Sequence, residues 1–314
     1  MSRSIPLNES AVEVFTKSFI EVNRVLVLGG TGWFGRTALA MLKHVDVKTH
    51  IVASNPREFS VDGAPLLAKG WDLAEIERFE PDVVLDFAYL TVNKAGPLGL
   101  EQYSRVNRQL SEQLYFASSL PSTRRVITVS SGASIRLPRG MQGQLAAEAY
   151  ALGKQAIEAQ LATISSEKEI SVGIARAWSV SGGHVQNPWD YALSGMILGG
   201  LQDGLISVHS NHLVYRRYSA VEELLALAMH ASESPGLRHL DSGGPLVELE
   251  ELAEMVSAAI PGSEVLGKES IRESNNVDSY FSHGAAWDEE TERSGLRTLT
   301  LEGQIEHVVS ALTG

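Results

Sequence analysis

The 314-residue chain has no cysteine, which excludes disulfides, thiolate-bound zinc and a cysteine nucleophile. No stretch approaches the roughly 18 consecutive apolar residues of a membrane span. Basic charge is scarce: 26 Lys and Arg stand against 38 Asp and Glu, a formal net charge of −12. No basic stripe of the kind a nucleic-acid groove requires is present. The opening MSRSIPLNESAVEVFTKSFIEVN carries Asn8, Glu9, Glu13 and Lys17 where a secretory leader would be apolar. It reads as a short amphipathic helix with Val12, Phe15 and Phe19 on one face. Together these features predict a reduced, cytoplasmic protein with neither membrane nor nucleic acid as partner.

The chain does have material for a full core, with 44% hydrophobic and 20% charged residues. At roughly 150 residues per domain its length fits one large domain or two fused ones. Strand and helix signals alternate. Short apolar runs at 24–28 (RVLVL), 50–53, 83–87 (VVLDF), 126–129 (VITV) and 170–175 (ISVGIA) predict strands. Helical spacing occupies 36–44, 73–79, 103–118 and 146–165. Such a rhythm predicts a Rossmann-type α/β fold, a doubly wound parallel sheet covered by helices on both faces. Strands buried on both sides explain apolar runs in place of alternation. After Ser181 the texture changes to SGGHVQNPWD, then to helical segments at 191–201, 221–231 and 248–260. We therefore expect a dinucleotide-binding domain over 1–180, its first 20 residues a helical extension. A smaller mixed α/β substrate domain is expected over 181–314, with segments crossing back to the sheet.

Residues 26–35 read LVLGGTGWFG, with Gly29, Gly32 and Gly35 spaced three apart between a strand and a helix. With 28 glycines, chance alone supplies about 0.2 such triplets, so the strand–turn–helix context carries the reading. One glycine makes the tight turn, one lets the backbone approach a pyrophosphate, and one lets the helix pack close to the strand. The helix N-terminus adds free N–H groups and the positive end of its dipole. Gly29, Thr31, Gly32, Trp33, Phe34 and Gly35 are thus candidate cofactor residues. About 20 residues on, an Asp or Glu would hold the adenosine ribose hydroxyls and repel a 2′-phosphate. This chain has Ser54, Asn55 and Arg57 there, which tilts the expectation from NAD toward NADP. Asp72 and Leu73 are candidates for the adenine edge, or a helix cap.

Tyr150 and Lys154 lie one helical turn apart on one face. A neighbouring ammonium would lower a phenol pKa toward the working range, so that Tyr150 exchanges a proton with an alcohol or ketone. The pair follows a strand ending in Ser130 and Ser131, and strand carboxyl ends face the ligand crevice of such sheets. Histidines at 209 and 212 read as loop residues, and no metal site is expected.

The glycine triplet, Ser131 and Tyr150-x-x-x-Lys154 together resemble the extended short-chain dehydrogenase/reductase family, the NAD-dependent epimerase/dehydratase group that modifies sugar nucleotides. Further segments are similar in order: PDVVLDFA at 81–88, Tyr103-x-x-Val106-Asn107, the stretch from Ile174 through Arg176 to Gly182, Arg216-Arg217-Tyr218, and the turn at 240–243. The resemblance implies that Tyr150 is the acid/base, that Lys154 orients the nicotinamide ribose and tunes Tyr150, and that Ser131, or else Ser130, holds the reacting oxygen. It implies Phe87, Ala88, Tyr89 and Asn107 along the nicotinamide side, and Ser179 and Arg216 on the substrate, Arg216 as a clamp on a nucleotide diphosphate or else a strand-end salt bridge. It implies a homodimer paired through 103–118 and 146–165. Two departures bear on the reaction. Ser179 stands where sugar-nucleotide enzymes of the family have Asn, and Gly132 and Ala133 stand where dehydratases carry Asp-Glu.

The resulting expectation is an NAD(P)-dependent epimerase or reductase of a nucleotide sugar. Two alternatives stand beside it: a reductase of a non-sugar ketone, and a dinucleotide-binding regulator without turnover.

Overall fold

A computed structural model describes residues 4–266 and 277–314. The first part of the chain folds as α1 (Glu9–Lys17), β1 (Arg24–Leu28), α2 (Trp33–Leu42), β2 (Lys48–Val52), β3 (Arg57–Val61), β4 (Ala64–Ala68), α3 (Leu73–Phe79), β5 (Val83–Asp86), α4 (Ala95–Leu98), α5 (Leu100–Ser119), β6 (Arg125–Ser131), α6 (Leu145–Lys168) and β7 (Ser171–Ala177). The remainder forms β8 (Ser179–Ser181), α7 (Ala192–Asp203), β9 (Leu205–Ser207), β10 (Leu213–Ala220), α8 (Val221–Ala231), β11 (Gly236–Asp241), β12 (Leu246–Glu248), α9 (Leu249–Ala259), β13 (Glu264–Leu266), β14 (Val277–Ser279), α10 (Ala285–Ser294) and α11 (Leu301–Thr313).

Six strands form one parallel sheet in the order β11-β7-β6-β5-β1-β2. The winding reverses between β2 and β5, on either side of β1, and such a switch point opens a crevice at the strand carboxyl ends. The strands alternate their side chains between two cores, as the period of a pleated strand requires. Val25, Val27 and Ile127 join the core that includes α1, α2 and α8. Leu26, Leu28, Val126, Val172 and Ile174 join the core under α3, α5 and α6. A third core lies among α7, α9, α11 and the small sheet β12-β10-β14, to which β8 is joined.

The elements α8 and β11, which come from beyond residue 181, complete the main sheet and its cover. Two features depart from the sequence reading. Residues 57–68, where no strand is expected, form an antiparallel hairpin, β3 with β4. Its turn is Asp62-Gly63, both at positive φ, the two-residue turn that matches the twist of a hairpin. The buried stripe of α1 is Ala11, Val14 and Phe15, while Val12 is only half-buried. Spacing of i, i+3, i+4 aims that stripe at α8.

Asn8 locks this helix in place. Its side-chain oxygen accepts from the N–H groups of Ser10 and Ala11, and its amide donates to Glu223 Oε1 and the Arg297 carbonyl, both at 2.8 Å. Asn8→Ala removes a helix cap and leaves a buried carboxylate and a carbonyl short of a donor. The expected loss is about 2–4 kcal/mol of stability, read as a lower midpoint in urea.

Candidate active site

The glycine turn sits at the crevice. Gly29 has φ +74°, and a Cβ there would stand 2.7 Å from the backbone of Phe87 and Ala88. Only glycine combines that left-handed backbone with so close an approach. A Cβ on Gly35 would overlap the Gly29 carbonyl oxygen and lie 2.6 Å from Gly30 Cα, so this position sets how closely α2 packs on β1. Gly32, by contrast, is exposed and caps α2 without any side-chain hydrogen bond. The first N–H groups of α2 are thereby left to the crevice, and the open Gly32 surface admits a pyrophosphate. The backbones of Trp33 and Phe34 belong to this cradle, but their rings do not. Trp33 is buried against Tyr191 at 4.7 Å, and Phe34 stacks on Phe87 at 6.5 Å.

Beside the cradle, Arg57 donates to the Thr31 hydroxyl and Arg36 Nε donates to the Thr31 carbonyl at 3.0 Å. Ser54 and Asn55 are exposed where β2 ends. Asp72 is the N-cap of α3 and accepts from Glu75 N–H at 3.0 Å, and Leu73 is exposed.

Ser131, Tyr150 and Lys154 come together at the carboxyl ends of β5 and β6. The Ser131 hydroxyl accepts from Ala133 N–H at 3.1 Å and lies beside the phenols of Tyr150 and Tyr280. Lys154 is buried; its ammonium donates to the Val129 carbonyl at 2.7 Å and rests 4.1 Å over the Tyr89 ring. Burial pushes its pKa down to about 8, against the opposing pull of the Asp86 and Glu158 carboxylates. Tyr150 is half-buried, and burial raises its pKa, with the Ser131 hydroxyl working in the opposite direction. The sequence reading expected the reverse direction from Lys154. Desolvation outweighs a neighbour that is committed elsewhere.

Two carboxylates escaped sequence reasoning. Asp86, at the end of β5, is buried, accepts from the Thr128 hydroxyl at 2.7 Å and from Ala88 N–H at 3.2 Å, and has its pKa raised by burial. A lone carboxylate inside VVLDF was the available signal. Glu158 lies one turn beyond Lys154 on the same helix face. Burial works to raise its pKa, but His239, Arg176 and the hydroxyls of Ser130 and Ser134 together hold it well below the usual carboxylate range. Arg176 Nη2 donates to it at 2.6 Å.

The other expected site residues have partners of their own. Ser130 is turned into the Glu158 network and is not presented to the crevice. Asn107 accepts from Leu90 N–H at 2.8 Å and donates back to the Leu90 carbonyl, so its amide fixes the chain after Tyr89. Arg216 makes an ion pair with Asp278 at 2.7 Å and lies 5.6 Å from the Tyr280 ring centroid; its fork is already engaged. Ser179 is half-buried in register with Tyr218. Trp178 covers Gly132, where a Cβ would overlap its ring, and packs on Tyr280 at 4.9 Å. Among the described residues no group of three or more His, Asp or Glu could hold a metal ion, and no helix is long and apolar enough to cross a membrane.

A six-stranded parallel sheet with a glycine-lined cradle at its switch point defines a Rossmann-type α/β protein. The family model of the NAD dependent epimerase/dehydratase family matches residues 25–235, and the chain belongs to that family of enzymes. No curated protein sequence matches it. Solved structures share the fold at low identity. The UDP-N-acetylglucosamine 4-epimerase from Methanobrevibacter ruminantium, in complex with UDP-N-acetylmuramic acid, is 18% identical with TM-score 0.71 over 94% of this chain and 99% of its own. The UDP-glucose 4-epimerase from Thermotoga maritima, with UDP-glucose, is 17% identical with TM-score 0.68 over 92% and 98%. MoeE5, in complex with UDP-glucose and NAD, is 20% identical with TM-score 0.66 over 92% and 100%.

Proposed function

We propose that this protein is an NAD(P)-dependent epimerase or reductase acting on a hydroxyl or ketone of a nucleotide-linked sugar. The observation that carries the proposal is the meeting of Ser131, Tyr150 and Lys154 beside the glycine cradle. The family and the UDP-sugar complexes of the structural neighbours support the substrate class. Gly29, Gly32 and the first N–H groups of α2 suit a pyrophosphate. Ser54, Asn55 and Arg57, with no carboxylate among them, favour the 2′-phosphate of NADP. Phe87 and Ala88 line the wall toward the catalytic corner. When bound, the nicotinamide supplies or accepts the hydride.

The chain's own part is the proton. Tyr150, its pKa raised, is protonated at neutral pH and ready to give a proton to a ketone oxygen; in the oxidative direction the same phenol takes the proton back. Ser131 is placed to orient that oxygen. Water elimination is disfavoured, because Gly132 and Ala133 supply neither acid nor base. We assign the substrate side to residues 181–314 apart from α8 and β11. We also propose a homodimer through α5 and α6, whose Tyr115 and Leu152 are exposed; a monomeric mass in solution would refute it. The test of the cofactor is mass spectrometry of the nucleotide released on denaturing purified protein. NADPH favours the reductase, and retained NAD favours the epimerase.

The Arg216–Asp278 ion pair favours a second reading, a reductase of a non-sugar ketone. Arg216→Ala separates the two. A diphosphate substrate should lose affinity by about tenfold or more, the cost of a charge-assisted hydrogen bond, whereas a non-sugar ketone should bind unchanged, as read from KM.

A further inference from the structure

We propose that Tyr89 is a positioning residue, its ring in contact with both Lys154 and Tyr150 so that its face carries the ammonium and its edge-to-face packing orients the phenol. The inference rests on reading Tyr150 and Lys154 as the catalytic pair. The geometry is specific. The Lys154 nitrogen lies 4.1 Å from the Tyr89 ring centroid, on the negative face of the π-system. The Tyr150 ring meets the Tyr89 ring edge to face, at 5.6 Å and 74°. Gly153, just before the lysine, lies inside α6, where glycine is unfavourable, and the atoms nearest a Cβ there all belong to Tyr89. A Cβ at Gly153 would overlap the Tyr89 hydroxyl oxygen and come within 3.2 Å of Cζ. The Tyr-x-x-Gly-Lys sequence of α6 is therefore cut to fit a side chain from the end of β5.

The contact has a chemical purpose. A buried ammonium needs negative charge around it to stay protonated near neutral pH. Lys154 faces Asp86 from β5, Glu158 from its own helix, and the Tyr89 ring, which also packs on the Tyr150 ring. Glu158 is shared with Arg176 and His239, and Asp86 with Thr128. The Tyr89 face has the ammonium as its cationic partner. By holding Lys154 there, Tyr89 keeps it charged, while the same ring packs against Tyr150.

The test needs no substrate. In protein labelled with 13C at lysine Cε, the Lys154 resonance, assigned by its absence in Lys154→Arg, should be displaced by the aromatic ring current. Tyr89→Leu should abolish that displacement and lower the Lys154 titration midpoint by about 0.5–1 pH unit, the worth of a desolvated cation–π contact. Tyr89→Phe keeps the ring and should preserve both. Gly153→Ala should disturb the resonance in the native background, and less in the Tyr89→Phe background, where the overlapping hydroxyl is gone. The proposal is overturned if Tyr89→Leu leaves signal and midpoint in place, or if Tyr89→Phe does the same damage as leucine. Turnover that survives in Tyr150→Phe would defeat the functional reading instead, leaving these spectra unaffected.

Discussion

Tyr150→Phe should lower turnover by about 10²–10⁴-fold, the range that positioned proton transfer contributes, while dinucleotide affinity stays within about twofold. The substitution removes one oxygen and keeps the ring, so the edge-to-face packing on Tyr89 survives and the crevice retains its shape. What disappears is a phenol beside the Ser131 hydroxyl that does not itself belong to a buried ion network; Tyr280, the other phenol there, remains and should not restore turnover. Glu158 and Asp86 are both near, but the first is bound into Arg176, Ser130 and Ser134 and the second into Thr128. The measurement is steady-state oxidation or reduction at the nicotinamide wavelength, alongside nucleotide binding by fluorescence quenching. Turnover at the native rate would leave Tyr150 without a catalytic role. A dinucleotide-binding regulator, which needs no proton transfer, would keep its full biological function in this variant.

Gly35→Val should be the most damaging substitution in the cradle, and comparison with Gly32→Ala separates packing from binding. At Gly35 the added carbon runs into the Gly29 carbonyl and Gly30 Cα, which are backbone atoms of the turn itself. Backbone cannot rotate aside, so α2 must lift off β1. Overpacking of this kind costs about 1–3 kcal/mol or more, and the displaced helix N-terminus should weaken the dinucleotide by at least about 10²-fold. At Gly32 the nearest atom is 3.5 Å from the added carbon, so stability should change little. The methyl group would, however, stand in the mouth of the cradle and hinder the pyrophosphate. Urea denaturation and titration calorimetry on both variants check this. Equal stability of the two proteins would show that Gly35 does not set the helix–strand distance.

Much of the main sheet was legible because its signals are local. Buried parallel strands are short apolar runs, helices carry their own spacing, and a glycine turn between them needs no distant partner. The expected helix at 73–79 coincides with α3, and the expected 221–231 with α8. The hairpin at 57–68 has a local signal in Asp62-Gly63, a two-residue turn that the sequence reading did not use. β11 was not legible: its strand pattern, GLRHLD, is weak, and it is recruited by pairing with β7.

Tyr150 and Lys154 could be found from sequence because one helical turn is fixed by chain geometry alone. Their ionisation could not, since it depends on how much water is excluded and on which partners arrive from other elements. Reading Lys154 only as the neighbour of Tyr150 predicted a lowered phenol pKa. The fold instead commits Lys154 to Val129 and Tyr89, sets Asp86 and Glu158 near it, and lets burial raise Tyr150. Arg216 follows the same logic, because its partner Asp278 lies 62 residues away in a strand that sequence spacing does not connect to it. The sequence by itself determined the glycine turn, the alternation of strand and helix, and the spacing of Tyr150 and Lys154, all set by short-range sterics and periodicity. Only the tertiary structure decided the direction in which the pKa values of that pair move and the engagement of the arginine, because desolvation and long-range pairing exist only once distant segments have packed.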